Sequence, residues 1–156
     1  MSITYDLADL IHNMIELEIT GADFYSAQAR KQKNPLLATL FAQLAEQEQK
    51  HRTVYEHWRD QLAGEPTVDE EYRAYLQEII SGKFRLDQEQ AAQCTRAVEV
   101  IDLGLQLEQD SIRFIDAFGK ITGARHQDMV DKIRQQEQQH LTSLTRMKAA
   151  LLKDNV

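Results

Sequence analysis

Gln47-Glu48-Gln49-Lys50-His51 and Gln136-Glu137-Gln138-Gln139-His140 are nearly one five-residue segment occurring twice in a chain of 156 residues. Each places a glutamate three positions before a histidine, and on an α-helix that spacing aims both side chains at one point. Each pair has a lone glutamate at a matched distance upstream: Glu18 lies 30 residues before Glu48, and Glu108 lies 29 before Glu137. Leu17-Glu18 is followed by Phe24, and Leu107-Glu108 by Phe114, at equal offsets. The chain reads as a duplicated half, and four carboxylates with two imidazoles point to a two-metal site.

The elements around these segments are expected to be helical. Only two prolines and six glycines interrupt the chain, and no stretch alternates apolar with polar residues for long enough to make a strand. Helix A is predicted from Asp6 to Lys31. Helix B starts at Asn34-Pro35, where Asn34 caps and Pro35 suits the first turn, and ends near Gly64-Glu65-Pro66. Between Val68 and Ser81, Tyr72, Tyr75, Leu76, Ile79 and Ile80 fall at helical spacing, which predicts a short helix inside a long connection. Asp87 with Gln90 forms a capping box for helix C, expected to reach Phe118 before Gly119 and Gly123, and helix D covers Ala124 to Leu152. Short A to B and C to D links make antiparallel hairpins, and the long B to C crossover lets the second return beside the first. The expectation is one all-α domain over residues 1–156, an antiparallel four-helix bundle.

Composition removes several classes of function. The formal net charge of -7 argues against nucleic acid or an anionic membrane as partner, since both attract basic surfaces. No run of eighteen apolar residues and no leader-like amino terminus is present, so a soluble, cytoplasmic protein is expected. A single cysteine, Cys94, provides neither a disulfide framework nor a thiolate cluster and is expected to be a small buried apolar residue.

A metal site in a bundle must be built from inward-facing positions, and the six candidates fall on apolar seams. Helix A runs Leu7, Ile11, Met14, Glu18, Gly21, Tyr25, and helix B runs Leu37, Phe41, Leu44, Glu48, His51, Tyr55, Trp58, Leu62. Helix C runs Cys94, Val98, Ile101, Leu105, Glu108, Ile112, Ile115, and helix D runs Val130, Ile133, Glu137, His140, Leu144, Met147, Leu151. Glu16, Glu46, Glu99 and Asp110 lie off these seams and are expected to be solvated. Buried carboxylates in proximity repel and are costly to desolvate unless cations neutralise them. One glutamate and one histidine are available to each metal, with two further glutamates to bridge or cap. Oxygen and imidazole donors without thiolate suit iron first and manganese second, with zinc admissible.

A single glutamate-x-x-histidine on a helix is more often a surface pair than a ligand set, and it is the joint pattern of six that favours metal. Tyr25, two turns beyond Glu18, is either a catalytic hydroxyl near a metal-bound carboxylate or an interior tyrosine with a polar tip. His12, His57 and His126 are assigned structural or surface roles. Trp58, Phe41, Tyr55, Met14 and Met147 are assigned to core packing.

The set Glu18, Glu48 with His51, Glu108, and Glu137 with His140 resembles the ferritin-like di-iron proteins, and rubrerythrins in particular. Leu44-Ala45-Glu46-Gln47-Glu48-Gln49-Lys50-His51 and Asp23-Phe24-Tyr25 are similar to that family's helix B and helix A signatures. The resemblance spans about Leu7 to Leu151 and implies a ferritin-like fold, two iron ions and an oxidoreductase active in oxidative stress. It implies reduction of hydrogen peroxide or dioxygen, and a homodimer. Rubrerythrins draw electrons from a four-cysteine centre that one cysteine cannot build, so an external redox donor protein is expected. They also carry an extra carboxylate three residues after the helix C glutamate, where this sequence has Ser111. Gln49 stands where bacterioferritins place a haem-binding methionine. Ferroxidase activity with iron storage, and a non-catalytic metal-binding helical protein, are the alternatives.

Overall fold

The structure, a computed structural model, describes residues 5–62, 66–68, 74, 93, 94 and 96–154. The chain divides into two compact units, Met1–Gly82 and Lys83–Val156, so the break falls within the predicted B to C link.

In the first unit, helix α1 spans Leu7–Lys31 and helix α2 spans Pro35–Leu62. Asn34 ends the short link between them: its Oδ1 accepts from the backbone N–H groups of Leu36 at 3.0 Å and Leu37 at 3.3 Å. Those amides have no partner within their own helix, so the side chain satisfies donors that would otherwise need water. Pro35 follows at the position where a missing N–H costs nothing. Every residue of the predicted α1 and α2 seams is buried, the two glutamates and His51 included.

Strand content differs slightly from the all-helical expectation. Strand β1, Tyr5–Asp6, pairs antiparallel with strand β2, Pro66–Val68, with Tyr5 opposite Val68 and Asp6 opposite Pro66. A pair this short is too small for an alternating pattern to reveal it. It ties the approach to α1 to the exit from α2, which closes this unit's helical hairpin. Val68 therefore lies in a strand, while most of the predicted crossover helix, Tyr72 to Ser81, lies outside the described residues apart from Ala74. The Asp87 and Gln90 capping box also lies outside them.

In the second unit, helix α3 spans Ala97–Thr122, a single turn of 3-10 helix spans Gly123–His126, and helix α4 spans Gln127–Asp154. The start of α3 corrects the predicted helix C in part. Arg96 occupies the cap position without a side-chain bond, and Cys94 lies outside the helix and is half-buried rather than buried. The end of α3 differs too, because Gly119 does not break it. A Cβ on Gly119 would lie 2.8 Å from Val130 Cγ1, so that glycine serves a close approach of α3 to α4. Gly123 is the terminator: its φ of 63° is a left-handed value, and its N–H donates to the Gly119 carbonyl. His126 accordingly closes the 3-10 turn instead of opening helix D.

The buried face of α3 is broader than one seam. Ile101, Glu108 and Ile115 are buried as predicted, but Val98, Leu105 and Ile112 are half-buried, whereas Val100, Gly104, Leu107, Phe114 and Phe118 are buried. Asp110 overturns its assignment as a solvated charge: it is 0% exposed. Its carboxylate accepts from Gln106 Nε2 at 3.0 Å and pairs with Arg113 at 3.6 Å, which offsets part of the cost of burying it. On α4 the seam is buried from Val130 to Leu144, while Met147 and Leu151 are half-buried as the helix runs out. Two partly exposed ion pairs join α3 to α4, Asp116 with Arg134 at 2.7 Å and Asp102 with Lys148 at 2.6 Å. Fourteen residues separate the pairs on each helix, and Glu108 and His140 fall between them.

Candidate metal centre

In the first unit, Glu18 is supplied by α1 and Glu48 with His51 by adjacent turns of α2. They are 1, 4 and 4% exposed, and one donor atom from each lies within 4.8 Å of the others. His51 Nδ1 stands 3.9 Å from Glu18 Oε2. The stretches of seam on either side are large and apolar: Met14, Tyr25, Phe41, Tyr55 and Trp58 are all fully buried. Tyr25 stacks on Phe41, and Tyr55 on Trp58. Such walls lower the local dielectric and keep water from the three polar groups.

The second unit repeats the construction. Glu108 comes from α3, and Glu137 with His140 from adjacent turns of α4, at 0, 1 and 3% exposure. Their donor atoms also lie within 4.8 Å of one another. His140 Nδ1 is 3.4 Å from Glu108 Oε1 and 3.5 Å from Glu137 Oε2. All six ligand candidates are thus buried, and within each unit they converge as two carboxylates and one imidazole. Tyr25 is buried on the α1 seam with its ring against Phe24 and Phe41. The remaining histidines fall elsewhere: His12 is an exposed partner of Glu16 at 3.9 Å, and His57 is exposed.

Electrostatics decide what such a triad suits. Two carboxylates held this close in burial repel each other and have lost their hydration, so each triad without a cation is unfavourable. One divalent ion per triad cancels the two negative charges. Carboxylate oxygen with imidazole nitrogen, and no thiolate, is a donor set that iron and manganese accept and zinc tolerates. The residues present therefore fit a transition metal.

The family model of rubrerythrin matches residues 9–148, a span that contains all six of these side chains. The chain belongs to the rubrerythrin family. Membership gives the four helices a ferritin-like context and makes the buried glutamate and histidine groups compatible with the metal centre for which rubrerythrins are known. No curated protein and no solved structure matches the chain significantly. Among the described residues of this rubrerythrin-family chain, no helix is long and apolar enough to cross a membrane. Asp110 is the buried charge that seam reasoning missed; Gln106 and Arg113, one turn to either side of it, were the available signal.

Proposed function

We propose that this chain is a di-iron oxidoreductase in which each glutamate-glutamate-histidine triad holds one ion of a pair. It reduces hydrogen peroxide or dioxygen with electrons from a separate donor protein. The observation that carries this reading is the matched pair of buried triads, one per unit, on seams that are otherwise apolar. Family membership supports the redox class.

When bound, a pair of redox-active ions supplies the two electrons that convert one hydrogen peroxide and two protons into two waters. Glu18, Glu48, Glu108 and Glu137 hold the charge of the centre, and a carboxylate can bind through one oxygen or two as that charge changes. His51 and His140 give each triad a neutral donor whose orientation is limited by the helix turn it shares with its glutamate. The Phe41, Tyr55 and Trp58 walls exclude bulk water. Tyr25 is the residue proposed to hold a proton: helical side chains lean toward the amino terminus, which tilts its phenol back along the seam toward Glu18.

Metal analysis of the protein purified from its host, followed by rapid mixing of the ferrous form with peroxide and with dioxygen, tests the proposal. The expected result is about two iron ions per chain, oxidised in one fast phase by at least one of the two oxidants. Iron that stays ferrous after stoichiometric addition of either would overturn the redox assignment.

A further inference from the structure

The two repeated halves differ in the residues that flank their triads. With Glu48 set against Glu137, His51 falls on His140, Phe41 on Val130, Tyr55 on Leu144 and Trp58 on Met147. Setting Glu18 against Glu108 places Tyr25 on Ile115 in the same way. Equivalent seam positions are thus aromatic beside the first triad and non-aromatic beside the second. Aliphatic residues bury well at these positions, Val130 at 3% exposure and Ile115 and Leu144 at 0%, so burial alone does not call for the rings.

Trp58 is the chain's single tryptophan, and both it and Tyr55 are 0% exposed. Their rings stack with centroids 6.2 Å apart and planes at 14°. Tyr55 lies one turn beyond His51 on α2 and Trp58 lies two turns beyond, about 10 Å along the axis. Indole and phenol yield a single electron to a strong oxidant far more readily than phenyl and aliphatic side chains do. Electron transfer weakens steeply with distance, so a phenol between His51 and Trp58 divides one long step into two short ones. A charged ring is costly in apolar surroundings, so loss of an electron from the indole is coupled to loss of its N–H proton.

We propose that Tyr55 and Trp58 form a one-electron relay to the first triad, which completes the reduction of peroxide when the centre holds a single ferrous ion. Hydrogen peroxide needs two electrons and two protons to become two waters. One electron comes from the ion, which becomes ferric. The other comes from Trp58 by way of Tyr55 and leaves a neutral indolyl radical. The ring proton and one proton from solvent complete the two waters. This relay rests on the redox reading of the centre, and the experiment separates the two ideas.

The full-length chain, carrying one ferrous ion on average and freed of unbound iron, is mixed with one equivalent of peroxide and freeze-quenched. Electron paramagnetic resonance then reads any organic radical, and a chelating dye reads the ferrous iron that remains. Wild type is expected to give a radical whose hyperfine splitting narrows when the protein is made with ring-deuterated tryptophan, a label that reports on Trp58 alone. Trp58→Phe keeps a ring in the core and should lose that signal while its iron is still oxidised. Iron oxidised in wild type without an organic radical overturns the relay and leaves the redox centre standing. A radical that ignores tryptophan deuteration overturns the role of Trp58, and this measurement needs no variant to fold. An equal signal from Glu48→Ala exposed to the same iron also overturns the relay, since the oxidant would then arise away from the triad. Iron that stays ferrous in wild type overturns both ideas together.

Discussion

Tyr25 of α1 stacks on Phe41 of α2 with ring centroids 5.9 Å apart and planes at 22°. The helices of this hairpin run antiparallel, so the same register carried seven residues along each brings Glu18 level with Glu48, where their carboxylates converge with His51. An aromatic contact two turns away therefore helps to align the first triad. Phe41→Ala should cost about 3–5 kcal/mol of stability and weaken metal binding, because the cavity loosens the register. Tyr25→Phe keeps the ring, so its stability and metal content should stay near wild type. Any slowing of turnover in that variant would then report on the hydroxyl. Urea unfolding and metal titration of both variants check this, and equal metal affinity in Phe41→Ala would dissociate the stack from the site.

Removing a ligand should remove metal without removing the fold. Glu48→Ala and His140→Ala each delete one donor from a triad and leave every apolar seam residue in place. Both variants are expected to lose the metal pair while keeping most of their helical circular dichroism. Unchanged metal content in both would refute the ligand assignment.

The metal-free protein carries the repulsion of paired, buried carboxylates, and this gives stability an unusual sign. Glu137→Gln removes one negative charge from the second triad and should make the metal-free protein more stable than wild type. Wild type should gain roughly 2.7 kcal/mol from metal at a hundredfold excess over its dissociation constant, and the variant should gain much less. Thermal melts with and without chelator measure both differences, and a wild-type melting temperature that ignores chelator would contradict the account.

Gly119 and Gly123 should respond to alanine for different reasons. At Gly119 the added Cβ would meet Val130 Cγ1 at 2.8 Å, and valine is stiff, so about 1–3 kcal/mol should be lost despite alanine's better helix propensity. Removing the branch with Val130→Ala in the same chain should recover part of that loss, since the two sites are coupled. At Gly123 nothing lies within 4 Å of the Cβ position, but φ is 63° with ψ at -151°, a region almost confined to glycine. A similar loss is expected there, and Val130→Ala should not relieve it.

The α1 and α2 seams were legible residue by residue, because a 3.6-residue period with few glycines leaves one way to bury the apolar face. The Asn34 cap was legible for the same local reason, since a side chain two residues before an unsatisfied amide needs no distant partner. On α3 the reading was narrower than the structure. Two adjacent stripes are buried there, and the seam model assigned Val98, Leu105 and Ile112 a burial they share only in part. Asp110 reads as solvated because it lies off the seam, whereas its burial is accompanied by Gln106 and Arg113 reaching it, which charge alone does not disclose. Gly119 reads as a helix terminator because a glycine looks alike in sequence whether it ends a helix or admits a neighbour.

The sequence by itself determined that the chain is helical, that its halves repeat, and that the glutamate and histidine of each repeated segment share the inward face of their helix while the lone upstream glutamate falls on the apolar face of its own. Those are consequences of period and spacing, properties of a single helix. Tertiary structure decided which donor atoms within each unit come within 4.8 Å, which of two glycines ends α3, and that Asp110 and Ser111 are buried beside Glu108 in the chain. These depend on how closely and in what register two helices approach. That is set by contacts between residues on different helices, such as Tyr25 with Phe41 and Gly119 with Val130.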